Sequence, residues 1–117
     1  MKSSSMSARI ADSCLTHDAH LYPWKWWLKD LDKVEKHGHT VFSTFSCGGG
    51  STMGYKLAGY DLVGNCEIDR AMNKLYQANH HPRLSYLMDI REFNELDNLP
   101  DELFHLDILD GSPLFCV

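Results

Sequence analysis

The chain has 117 residues and a formal net charge of −5, enough for a single domain with a modest core. Hydrophobic residues make up 44% of it, a globular rather than a disordered composition, and the acidic balance leaves no electrostatic footprint for a nucleic-acid backbone. The four cysteines, Cys14, Cys47, Cys66 and Cys116, form no C-x-x-C pair, which argues against a disulfide framework or a zinc site and for a reducing, cytoplasmic setting. No stretch has the character of a signal peptide or the length of a membrane span, so no membrane partner is expected.

In chain order, residues 1–20 are serine-rich and polar and read as a flexible arm. Residues 21–38 read as an amphipathic, tryptophan-rich helix. Pro23 suits a first helical position, and Trp24, Trp27, Leu28, Leu31 and Val34 fall on one face at helical spacing. Lys25, Lys29, Asp32, Lys33 and Lys36 cover the other face, and Gly38 ends the pattern. The stripe is expected to pack against the sheet or against a further part of the protein, with Trp26 off the stripe and available to a partner. His17, His20, His37 and His39 lack the additional ligands a metal would need and are expected at the surface; no metal is implied.

Val41 to Phe45 is β-branched, aromatic or small and reads as a buried strand. It runs into Cys47-Gly48-Gly49-Gly50, a turn almost without side chains. Ser51 and Thr52 offer hydroxyls for capping, Met53 to Ala58 reads as a short helix, and Gly59 stands where a left-handed stop is expected. A second strand, Asp61 to Cys66, delivers Glu67 and Asp69 at its carboxyl end. Strand, glycine turn, helix, strand and acid form the nucleotide-binding half of a doubly wound, Rossmann-like α/β fold. In that arrangement the acid, about 20 residues past the glycines, reaches a ribose hydroxyl.

The glycine spacing narrows the ligand. Gly48 and Gly50 are followed by Gly54, so G-x-G-x-x-G is not met, and no G-K-[ST] occurs anywhere. No basic residue in the turn could neutralise a pyrophosphate. A nucleoside without phosphates fits better, and S-adenosylmethionine is the leading choice.

Beyond this unit, Asp69 is placed to cap a helix over residues 70–79, ended by His80-His81-Pro82. Leu84 to Leu87 reads as a third strand that ends at Met88-Asp89. Residues 91–96 read as a short helix or turn, 98–104 as a connector, and Leu106 to Leu109 as a fourth strand followed by the loop Asp110-Gly111-Ser112-Pro113.

Taken together, Phe45 to Gly50, Gly59, Asn65-Cys66-Glu67-Ile68-Asp69, Asp89-Ile90 and Asp107 to Pro113 resemble the amino-terminal motifs of DNA (cytosine-5)-methyltransferases, in the family's order and spacing. The resemblance covers about Val41 to Pro113. It implies that residues 39–117 are a partial S-adenosylmethionine-binding methyltransferase domain, with a parallel sheet of about four strands ordered 3-2-1-4 and flanking helices. It also implies site roles. Phe45, Ser46, Cys47, Gly48, Gly49 and Gly50 would wrap the methionine part of the cofactor, and Glu67 would hold the ribose hydroxyls. Ile68 would pack on the adenine face, Asp89 would accept from the adenine amino group, and Ile90 would pack beside it. Asp110, Ser112 and Pro113 would complete the cofactor site. From the residues alone, Asp69 reads as a helix cap, and Cys47 and Cys66 as small packing residues.

The catalytic cysteine of the family follows Ser-Pro-Pro or a similar pair. Here Ser112-Pro113 is followed by Leu114, Phe115, Cys116 and Val117, so Phe115 stands in the nucleophile's place and Cys116 lies one residue late. A slip of one residue moves a side chain by about 3.5 Å, enough to defeat a reacting distance of about 3 Å. The expectation is a truncated methyltransferase, of restriction-modification type, that binds DNA through carboxyl-terminal regions missing here and is inactive alone. Two rivals stand beside it. One is a non-catalytic nucleoside-binding or protein-interaction module that docks through Trp24, Trp26 and Trp27. The other is a fragment of an NAD-dependent oxidoreductase, which the glycine spacing disfavours.

Overall fold

The structure is a computed structural model that describes residues 26–111 and residue 113. The expected arm, Cys14, His17, His20, the helix start at Pro23 and Trp24, and Ser112 and Leu114 to Val117 lie outside the described residues.

A 3₁₀ helix at Leu28–Lys33 leads into β1 (Thr40–Thr44), α1 (Gly50–Leu57), β2 (Asp61–Glu67), α2 (Arg70–His80) and β3 (Leu84–Leu87). One turn of helix, α3 (Ile90–Phe93), a 3₁₀ turn (Asp101–Phe104) and β4 (Ile108–Gly111) complete the order. The four strands form one sheet in the order β3-β2-β1-β4, and every pairing is parallel. The α/β class and strand order expected from the sequence are both present.

Burial follows that order. Val41 to Thr44 and Leu62 to Glu67 are buried throughout, as central parallel strands covered on both faces must be. The edge strands β3 and β4 are only half-buried. On one face, Tyr55 of α1, Tyr60 and Tyr76 of α2 gather around Val41, Leu62 and Ile108. On the other, Phe93 and the chain after α3, through Leu96, Leu99, Leu103 and Leu106, pack on Phe42, Val63 and Cys66. The Phe42 and Phe93 rings stack with centroids 5.5 Å apart.

A bulge in β2 sets which side chains reach which face. Val41 pairs with Leu62, but Phe42 pairs with Gly64, so Val63 is the extra residue. Leu62 and Asn65 therefore share the helical face and Val63 and Cys66 share the other, where strict alternation would have split both pairs. The bulge also brings β3 close: a β-carbon on Gly64 would collide with the carbonyl oxygen of Leu84.

Three local expectations are corrected. Where a helix was expected over 21–38, the described part holds only the 3₁₀ helix, and Val34 is extended at φ −69°, ψ 136°. Leu31 and Val34 are buried one 3₁₀ turn apart while Trp27 is 73% exposed, so the core takes two residues of the stripe and the chain then straightens toward β1. The α1 amino terminus is not capped by Ser51 or Thr52; Gly49, at φ 97°, occupies the cap, and Thr52 is buried with its hydroxyl 2.7 Å from that of Tyr76. β4 begins two residues late because Leu106 belongs to the hydrophobic cluster and Asp107 accepts from the Thr40 backbone N–H at 2.8 Å. The left-handed stop at Gly59 (φ 91°) and the Asp69 cap, which accepts from Met72 N, are as expected.

Candidate functional site

The strand order reverses between β1 and β4, so the carboxyl ends of the strands are where a doubly wound sheet opens a crevice. Beyond Thr44 the backbone turns through three left-handed residues, Phe45 (φ 52°), Cys47 (φ 48°) and Gly49 (φ 97°). Two of these carry side chains, a conformation that persists only when neighbours impose it. Here they do. Ser46 N donates to Cys66 O at 3.4 Å, Gly49 N to Ser46 O at 3.0 Å, and Cys47 N to Glu67 Oε1 at 2.7 Å.

The glycine turn rests against α2. A β-carbon on Gly48 would lie 3.1 Å from Leu75 Cδ2, and one on Gly49 would collide with the His80 ring. His80 Nε2 is 3.0 Å from Gly49 O; a carbonyl can only accept, so this nitrogen carries the proton. Burial, assisted by Lys56, pushes the His80 pKa down to about 4. Lys56 is itself buried, donates to His80 O at 3.0 Å, lies 3.5 Å from Asp32 Oδ1, and has its pKa lowered by desolvation. Asn65, fully buried, donates to Ser46 Oγ and Asn73 Oδ1, each at 2.8 Å, and so ties the turn to both β2 and α2.

In front of the turn lies a small, solvent-open cleft. Phe45 lines it from the end of β1, Cys66, Glu67 and Ile68 from β2, and Met88, Asp89 and Ile90 from β3. Its walls are apolar and its two acids stand at neighbouring strand ends. Glu67 is 7% exposed. Its Oε1 takes the Cys47 N–H and its Oε2 takes the Asp69 N–H at 2.9 Å, which leaves each oxygen a lone pair for a further donor. Asp89 caps α3 and accepts from Arg91 N at 2.8 Å, Nε at 3.0 Å and Nη2 at 2.6 Å. These hydrogen bonds hold its carboxyl down to about 2. Cys66 also faces the cleft, but burial, reinforced by Glu67 and Asp89, pushes its thiol up to about 11, so it stays protonated at neutral pH.

A family model described as C-5 cytosine-specific DNA methylase matches residues 39–113, from just before β1 to just after β4. The chain belongs to the C-5 cytosine-specific DNA methylase family. No curated protein and no solved structure matches it. Methylases of this family act on cytosine in DNA and generally use S-adenosylmethionine.

Of the residues singled out in this methylase sequence, Phe45, Glu67, Ile68, Asp89 and Ile90 meet in the cleft. Ser46, Cys47 and Gly48 to Gly50 form the turn behind it. Asp110 is not among the cleft residues: it lies within β4 and takes hydrogen bonds from Ser43 Oγ at 3.3 Å and Tyr55 OH at 3.4 Å. Pro113 is exposed, and Ser112 and Cys116 lie outside the described residues. The sequence reading missed Met88 and Cys66 as cleft residues, Arg91 as the partner of Asp89, and the Asn65, Tyr76 and His80 support of the turn. For Arg91 a signal existed, a basic residue two positions after a capping acid. For Asn65 none did, since its face depends on the bulge. Among the described residues, no group of His, Cys, Asp and Glu could hold a metal ion and no helix is long and apolar enough to cross a membrane.

Proposed function

We propose that this chain is the cofactor-binding part of a DNA cytosine-5-methyltransferase and that the cleft takes the adenosine half of S-adenosylmethionine. The observation that carries the reading is the convergence of Phe45, Glu67, Ile68, Asp89 and Ile90, from three strand ends, on one cleft. The donor chemistry fits a nucleoside: Glu67 can accept from two ribose hydroxyls, Ile68 and Ile90 offer apolar cover to a purine, and Asp89 can accept from an exocyclic amino group. The Phe45 to Gly50 turn, which contains no basic residue, suits the amino-acid end better than a pyrophosphate. Asp110 is assigned to that same end, because β4 runs beside β1, and the family resemblance adds Ser112 and Pro113, which follow it in sequence.

When bound, the cofactor supplies the methyl group. The chain's own contribution is to bind and orient it. Cys116 lies out of register with the family nucleophile and Phe115 stands in its place, so the chain alone binds without methylating DNA. DNA is gripped by other parts of the enzyme, in keeping with the charge of −5 here. Calorimetric titration of the chain with S-adenosylmethionine and S-adenosylhomocysteine tests the reading. Binding that disappears in the Glu67→Ala/Asp89→Ala variant is expected; unchanged binding in that variant would refute it.

A further inference from the structure

We infer that Arg91 is a positioning and specificity-determining residue for the cleft, fixing Asp89 as an obligate hydrogen-bond acceptor that selects a 6-amino purine. The inference rests on the nucleoside reading above and adds to it a residue outside the cleft wall. Arg91 is 86% exposed and donates to Asp89 through its backbone and through two guanidinium nitrogens. Oδ1 accepts from both N and Nε, which uses its two lone pairs, whereas Oδ2 accepts only from Nη2. One acceptor position remains, on Oδ2, and the carboxylate cannot rotate without breaking a fork of two side-chain bonds.

The charge of Arg91 matters once a ligand enters. Phe45, Ile68, Met88 and Ile90 line the same cleft as Asp89, so a nucleoside bound against them strips water from the carboxylate and favours the protonated acid. A protonated Asp89 could donate to a 6-oxo purine, and discrimination would be lost. Arg91 opposes this by keeping the carboxyl ionised, so that a 6-oxo group meets only lone pairs. The other titratable groups near Asp89 are Glu67 and Cys66 from β2 and Glu92 beside Arg91. None of these groups carries a guanidinium, so none can replace the fork that Arg91 makes to Asp89.

The test compares S-adenosylhomocysteine with its 6-oxo analogue, S-inosylhomocysteine, by calorimetry on the whole chain between pH 5 and 8. The unmodified chain is expected to prefer the 6-amino ligand by about a hundredfold or more, with no dependence on pH. Arg91→Gln keeps the backbone N–H that Asp89 caps but removes the charge; its preference is expected to shrink by about tenfold as pH falls toward 5. Arg91→Lys restores the charge and the flat profile, and Asp89→Asn/Arg91→Gln abolishes the slope. A preference in Arg91→Gln as large and as flat as in the unmodified chain would overturn the inference. So would a slope that survives in the double variant, which would place the titration on a group other than Asp89. Failure of the unmodified chain to bind S-adenosylhomocysteine at all would instead refute the nucleoside reading.

Discussion

A single methyl group added at Gly49 tests the packing that shapes the glycine turn. Gly49 sits at φ 97°, and a β-carbon there would collide with His80 Nε2 and Cδ2 and come within 3.1 Å of Tyr76 Cδ2. Left-handed backbone costs an alanine about 1–2 kcal/mol, and forcing a methyl into a filled site costs about 1–3 kcal/mol. His80 cannot step aside freely, since it is 2% exposed and bonded to the same residue's carbonyl. Gly49→Ala should therefore lose about 3 kcal/mol, or more than about 10 °C in Tm for a domain of this size. Gly50 is the control: nothing lies within 4 Å of its β-carbon and its φ is not left-handed, so Gly50→Ala should be neutral or more stable by about 0.5 kcal/mol. Urea and thermal unfolding of the two variants give the answer. Equal midpoints would refute the claim that α2 holds the turn in place.

Two more variants probe the same frame. Gly64→Ala would set a β-carbon against the Leu84 carbonyl and 2.9 Å from Leu84 Cβ; because backbone cannot yield without parting β2 from β3, a loss of about 2–3 kcal/mol is expected, with faster hydrogen exchange at the Cys66 and Tyr86 amides. His80 makes stability fall in mild acid. The unfolded chain takes up a proton near the ordinary value of 6.5, while the folded chain resists until about 4. Stability should thus be whole above pH 6.5 and decline by up to about 3 kcal/mol as pH falls to 4. Urea midpoints across that range should show the slope in the natural chain and lose it in His80→Gln; equal slopes would place the titration elsewhere.

The order of the sheet was legible because it rests on covalent spacing. A glycine turn after one strand and acids after the next two leave a parallel arrangement little freedom, and Glu67 and Asp89 arrive side by side as expected. What could not be read depends on contacts across the sequence. The three glycines look alike in the chain, yet only Gly49 is left-handed and pressed against His80. Thr52 looks like a cap, but burial against Tyr76 offers its hydroxyl a partner that local sequence cannot foretell. The bulge at Val63 puts Asn65 on the helical face and makes it the tie between turn, β2 and α2. The tryptophan-rich stripe has helical period, but of its described part Leu31 and Val34 are buried and Trp27 is not, a selection made by tertiary packing that periodicity alone does not carry.

The central claim, that a methyl-donor nucleoside lies across the carboxyl ends of β1, β2 and β3, is tested most directly by backbone amide NMR during titration with S-adenosylhomocysteine. Shifts confined to Phe45–Cys47, Glu67–Asp69 and Met88–Arg91 are predicted, with the Cys47 and Asp69 amides, both bonded to Glu67, moving most. Shifts centred instead on His37, His39 and Tyr60 at the opposite end of the sheet, or a spectrum that saturating ligand leaves unchanged, would contradict it.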